Sequence, residues 1–324
     1  MLSLLKKVYF ILMIKLLSSN TLVANTYNIF GVAYQQGSEI GKGDINIVYQ
    51  LTPTSKSNNN NDIWYIKKAQ PKLANQHCID KFGSFFVYAI GLGPTTLFSF
   101  DPNQALHFFQ KKAPGETIEE LAFVLNKDFR LAYLRFMKGI LSSGLDFDDL
   151  KFDNLSYDPQ SKKVFAFDTG LMSDMLKLHL EAKTEPTFPT EKELLERYQN
   201  IIFDIKHLYS KNKIGSLFDS ELDEIGMPNE SEFRTYSQSD GLKLIFASAF
   251  LTFNRIIREI VPKTVSQEST QKLVQSAAVY ENYLRNLLVS ANANINEQAR
   301  EMSAAIKDAQ AQLLLFNKLD FGRN

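Results

Sequence analysis

The chain has 324 residues, 44% of them hydrophobic and 22% charged, with 36 basic side chains against 36 acidic ones. That length allows one large domain or two ordinary ones with a substantial core, and 15 glycines with 10 prolines exclude a collagen-like or linker-like chain. Zero net charge argues against bulk electrostatic binding to nucleic acid or anionic lipid. The single cysteine, Cys78, excludes an intramolecular disulfide and a thiolate metal site. His77, His107, His179 and His207 show no metal-ligand spacing.

Residues 1–25 carry Lys6-Lys7, an apolar run over 8–14 and a small residue at Ala24, a pattern that resembles a secretory signal peptide. An amphipathic helix packed on the fold is the other reading. The run is too short to span a bilayer and Lys15 interrupts it, so no stable membrane span is expected there or elsewhere. Residues 27–30 and 38–51 read as strands broken by glycines, and the polar stretch 52–62 as a solvated hairpin loop. A strand is expected over 63–68, a helix over 72–88, and two strands over 95–100 and 106–110. From Ile118 onward helices dominate, except for a loop and short strands at 144–170. Thr190-Glu191-Lys192-Glu193 has the form of a capping box before an apolar stripe, and a helix over 240–261 is stopped by Pro262. Residues 266–317 carry a heptad pattern with a turn at 292–294. It reads as a helical hairpin lying on the domain, or as an arm for a helical partner or for self-association.

Three segments hold side chains suited to chemistry. Gly41 and Gly43 lie two apart between strand-like residues, where backbone N–H groups can approach an anion, although a hairpin turn needs the same glycines. Lys67 stands in an apolar strand; turned inward, its ammonium requires an anionic partner. Between 146 and 170, Asp149, Asn154 and Asp168 offer two carboxylates and an amide oxygen, the hard donors that Mg²⁺ prefers beside phosphate. Lys151 adds a cation two residues after Asp149.

Asp149-Leu150-Lys151-Phe152-Asp153-Asn154 resembles the D-L-K-x-x-N catalytic loop of protein kinases, and Asp168-Thr169-Gly170 resembles their D-F-G. Residues 41–48 are similar to the glycine-rich phosphate loop and Lys67 to the lysine of V-A-I-K. The resemblance covers about residues 27–260 and implies an α+β, two-lobed protein kinase-like fold. A small β-rich lobe would span 26–112 and a helical lobe 113–262, with 263–324 as an extra C-terminal helical extension. It also implies ATP and Mg²⁺ as cofactors. Ile40, Gly41, Lys42, Gly43, Val48 and Lys67 would bind ATP, with Asp80 as the lysine's partner where the family has a glutamate. Asn154 and Asp168 would hold the metal, and Asp149 and Lys151 would carry catalysis. Asp204 would hold the catalytic loop through its backbone N–H groups, and Pro189-Thr190-Glu191 stands near the A-P-E position or is a plain helix start. Gly91-Leu92-Gly93-Pro94 and Pro114-Gly115-Glu116-Thr117 are instead similar to segments of choline and aminoglycoside phosphotransferases.

Asn46 replaces the third glycine, Phe147-Asp148 replaces His-Arg, Thr169 replaces Phe, and residues 72–91 contain no glutamate. The expected activity is a Ser/Thr protein kinase. A small-molecule kinase and a nucleotide-binding pseudokinase or interaction module are the alternatives. A secretory start on an ATP-using enzyme suggests a secreted bacterial effector acting on host proteins, with a cytoplasmic location as the alternative.

Overall fold

The computed structural model describes residues 25–42, 46–54, 63–69, 82–100, 106–118, 123, 126–147, 149–169, 184–260 and 267–320, and it is a mixed α+β protein. The first part is a six-stranded antiparallel sheet. β1 (Thr26–Ile29), β2 (Val32–Lys42), β3 (Asn46–Pro53) and β4 (Trp64–Ala69) form a meander. β5 (Thr96–Phe100) and β6 (Leu106–Lys111) add a hairpin through β6, giving the order β1-β2-β3-β4-β6-β5. β1 turns Tyr27 and Ile29 inward by strict alternation. Phe30 and Gly31 then take φ of 50° and 84°, the paired left-handed conformation that a two-residue hairpin turn demands.

Directly opposed residues share a face of the sheet. The register Gly41↔Val48, Val48↔Lys67, Lys67↔Phe108 and Phe98↔Phe108 therefore draws one row across five strands. Bulges between Gln36 and Glu39, and between Glu39 and Gly41, interrupt the β2–β3 ladder just before that row.

α1 (Phe82–Ala89) occupies the end of the helix expected over 72–88; residues 70–81 lie outside the described residues. Seven of its eight residues are buried, as suits a helix apolar nearly all round. β5 ends the sheet yet is buried at every position, because α1 and the last helix, α8 (Glu297–Asp320), pack against it and cover the edge.

The remainder is largely helical. α2 (Lys127–Ser143) is capped by Asn126, whose side chain accepts from the Phe129 N–H at 3.1 Å, and it ends at Gly144 with φ 66°. A small sheet of β7 (Glu116–Thr117), β8 (Leu155–Asp158) and β9 (Lys163–Ala166) lies beside α2. α3 (Glu191–Lys211) opens on the predicted capping box, with both Thr190–Glu193 hydrogen bonds made. α4 (Phe218–Glu224), α5 (Glu230–Ser237), α6 (Asp240–Glu259) and α7 (Gln267–Val289) precede α8.

The heptad positions are buried faces: Leu273, Ala277, Tyr280, Leu284 and Leu287 on α7, and Ala299, Ile306, Ala309, Leu313 and Phe316 on α8. Both helices pack chiefly on α6 rather than on each other, so the two stripes serve two separate interfaces with one central helix. α8 then reaches the first strands. Its Phe316 ring lies 5.4 Å from that of Phe109 and 5.9 Å from that of Phe30, and Asn317 Nδ2 donates to Phe98 O at 2.9 Å. Among the described residues no helix is long and apolar enough to cross a membrane.

Candidate active site

Lys67 shows what the strand pairing achieves. It lies between Val48 on β3 and Phe108 on β6, on the face opposite Trp64 and Ile66, and its side chain is only 9% exposed. A buried ammonium needs an anionic partner, and Asp168, far along the chain, provides one. Lys67 Nζ lies 3.5 Å from Asp168 Oδ1 and donates to Phe167 O at 3.3 Å, with the Phe108 ring centroid at 5.8 Å. The solvated-face reading of this lysine does not hold.

The β8–β9 hairpin brings Asn154 and Asp168 to the same end. Leu155 pairs with Ala166, and the Phe167 N–H donates to Asn154 O at 2.9 Å. Asp149 enters the preceding loop with φ 63°, a left-handed conformation that costs a non-glycine residue about 1–2 kcal/mol and that aspartate tolerates better than most. Three contacts fix it. Asn154 Nδ2 donates to both Asp149 O and Asp149 Oδ2 at 2.9 Å, and Lys151 Nζ sits 2.9 Å from Asp149 Oδ1. The hydrogen bond from Asp149, then its charge, raise the Lys151 pKa, with smaller contributions from the charges of Asp153 and Asp168. Lys151 thus feels both carboxylates of the candidate site.

The loop is seated from below by Phe152, whose ring lies 5.4 Å from that of Tyr133 and 5.9 Å from that of Phe123. From the side, Arg197 of α3 donates to Gly144 O at 3.1 Å and approaches Asp146 Oδ2 at 3.9 Å. That tether was expected of Asp204. Asp204 is exposed and makes no hydrogen bond to the described residues of the loop, while Asp148, whose backbone N–H belongs to that loop, lies outside the described residues. Arg197 was legible as a cation set between Leu194 and Ile201 on the apolar face of α3. Glu191 belongs to a helix start, binding Arg234 and Gln238 of the α5 region at 2.7 Å each.

A cavity of about 370 Å³ opens beside Asp149, with Tyr133, Phe147, Arg197, Asp204 and Phe233 among its walls. The Tyr133 hydroxyl has no hydrogen-bond partner among the described residues, and burial, then the charge of Asp204, push its pKa up.

Of the proposed nucleotide residues, Val48 is half-buried in the Lys67 row, Ile40 is exposed, and a Cβ on Gly41 would meet nothing within 4 Å. The Lys42 side chain, Gly43, Asp80 and Gly170 lie outside the described residues. The donor types suit a hard cation: with Nδ2 of Asn154 committed to Asp149, its Oδ1 is left as an acceptor, and Asp149 and Asp168 add carboxylate oxygens. Among the described residues no three His, Cys, Asp or Glu side chains cluster as a metal site.

Both segments similar to small-molecule kinases hold glycines with packing reasons. A Cβ on Gly93 would fall 2.8 Å from Ala166 O, and one on Gly115, at φ 80°, would fall 1.9 Å from Tyr157 O. Sequence reasoning missed Ser84 of α1, whose hydroxyl meets both the N–H and the Oγ1 of Thr169 at 3.2 Å. The signal was the single small polar side chain in an otherwise apolar and aromatic helix. Compared with known proteins, the chain matches no family model and no curated sequence.

Proposed function

We propose that this protein is an ATP- and Mg²⁺-dependent phosphotransferase with a two-lobed, protein kinase-like fold, acting on Ser/Thr hydroxyls of a protein. The observation that carries the reading is the Lys67–Asp168 contact of 3.5 Å beside the Asp149–Lys151–Asn154 cluster. Strand order supports it as well. Three antiparallel strands bear Gly41, Val48 and Lys67, a helix follows, and two more strands close the sheet beside β4.

In this reading Gly41 and Gly43 would cover the nucleotide and Lys67 would hold its phosphate oxygens. Asn154 and Asp168 would hold Mg²⁺, which would neutralise phosphate charge when bound. Asp149 orients the acceptor hydroxyl and takes its proton, and Lys151 balances the charge beside it. The 2.9 Å contact that Lys151 makes with Asp149 holds the carboxylate in one orientation. Positioning and electrostatics account for most of the acceleration.

The cavity beside Asp149 favours a second reading, a small hydroxyl-bearing acceptor. Incubating the protein with Mg²⁺, γ-labelled ATP and eukaryotic lysate, beside an Asp168→Ala control, tests both. Label on protein that is absent from the control supports the first reading. Label only in the low-mass fraction supports the second, and nucleotide binding without transfer leaves a pseudokinase. A secreted effector remains a proposal from residues 1–24, which lie outside the described residues; N-terminal sequencing of the exported protein checks it.

A further inference from the structure

The three residues at the end of β9 are gripped by three different elements. Phe167 donates its N–H to Asn154 O and accepts from Lys67 at its carbonyl. Asp168 meets Lys67. Thr169 is held by Ser84, whose Oγ lies 3.2 Å from both the Thr169 N and the Thr169 Oγ1. Ser84 and Thr169 are 1% and 2% exposed, so water does not replace these bonds if either hydroxyl is removed. Nor is α1 a loose anchor: its Tyr88 hydroxyl donates to Gln312 Oε1 of α8 at 2.7 Å, and α8 packs along it.

We infer that Ser84 is a positioning residue for Asp168: through Thr169 it fixes the direction in which the Asp168 carboxylate leaves the chain, with α8 bracing the helix that carries it. The inference rests on the phosphotransferase reading for its consequence, but not for the grip itself. A carboxylate that must hold a cation at one bond length gains from a backbone fixed on both sides, and losing such a supporting partner typically weakens metal affinity or activity about 10–100-fold. Thr169 stands where the resembled family has an apolar side chain, so a hydroxyl at this point has to find a partner inside the protein.

The test uses the full chain as wild type, Ser84→Ala, Thr169→Val and Thr169→Ser, with two readouts. Amide hydrogen exchange at residues 167–169, without nucleotide, reports the grip. Phosphotransfer as a function of Mg²⁺ concentration reports the carboxylate. Ser84→Ala should accelerate exchange at Thr169 and raise the Mg²⁺ concentration for half-maximal transfer about 10-fold or more, with an unchanged KM for the acceptor. Thr169→Val, which keeps the N–H bond, should fall between, and Thr169→Ser should match wild type. If Ser84→Ala does not fold, the contrast between Val and Ser at 169 decides. Unchanged exchange in Ser84→Ala overturns the inference by itself, as does faster exchange with an unchanged Mg²⁺ requirement. A wild type that transfers no phosphate and binds no nucleotide overturns the phosphotransferase reading and with it the positioning role, whatever the exchange shows about the grip.

Discussion

Arg130 with Glu221 and Lys67 with Asp168 both join residues far apart in the chain, yet they are built differently. Arg130 of α2 and Glu221 of α4 are 6% and 4% exposed at their side chains. The guanidinium meets both carboxylate oxygens at 2.8–3.2 Å and also donates to Phe123 O, while the Tyr209 hydroxyl adds a bond to Glu221 at 2.6 Å. Little acceptor capacity remains for a ligand. The Lys67–Asp168 pair meets at 3.5 Å and leaves the Asp168 side chain 37% exposed, close to Asn154 and Lys151. An enclosed, satisfied pair pins helices together. A half-open one leaves a carboxylate partly facing solvent, where a charged ligand can reach it.

Cutting each pair should separate these roles. Glu221→Ala leaves a buried guanidinium without its carboxylate and should cost about 3–5 kcal/mol, read as a large fall in Tm or in the denaturant midpoint. Asp168→Ala should abolish phosphoryl transfer and cost less stability than Glu221→Ala, because the carboxylate removed is 37% exposed and the buried Lys67 ammonium keeps its bond to Phe167 O. Comparable losses of stability from the two variants would break the comparison.

The enclosed pair was not legible in the sequence, whereas the open one largely was. Glycines, a strand lysine and the Asp149, Asn154 and Asp168 spacing mark a site because few other arrangements need those residues in that order. The capping box at Thr190 and the helix start at Asp240 were readable for the same reason: their chemistry is local. Arg130 and Glu221 sit among other charged residues, and nothing in one dimension distinguishes a cation that will be buried from one that stays in water. The heptad stripes told which faces of α7 and α8 are apolar but not what covers them, since periodicity carries no information about the partner; α6 proved to be that partner. Ser84 and Arg197 fall between these cases. Each is a polar residue on an apolar face, a sign that a specific bond exists but not where it leads.

pH sharpens the contrast further. Burial alone would raise the Glu221 carboxyl, but hydrogen bonds from Arg130 and Tyr209, with the charges of Arg130 and Lys127, outweigh it and hold the folded value below the ordinary 4.5. A carboxyl depressed in the folded state binds its proton more readily when unfolded. Its stabilisation is therefore complete above the unfolded value and is lost as pH falls through the folded one. Tm measured from pH 7 to pH 3 should fall steeply below about 4.5 in wild type. In Glu221→Gln, which starts lower, that component of the slope should be missing.

The smallest effect is expected where α8 meets the sheet without charge. Asn317 is buried, its Nδ2 shared between Phe98 O and Leu313 O, while its Oδ1 has no partner among the described residues. Asn317→Ala removes one bond to an edge strand and strands the Phe98 carbonyl, a cost of about 1–3 kcal/mol. The same change also relieves the unpartnered Oδ1, which offsets part of that cost, so a net loss near 1 kcal/mol is expected in chemical denaturation. The bond lies on the α8 side of β5, and Lys67 and Asp168 keep their own contacts, so the Mg²⁺ requirement for transfer should stay at the wild-type value. A raised Mg²⁺ requirement in Asn317→Ala would mean that the α8 junction, remote from both residues, tunes the Lys67–Asp168 pair.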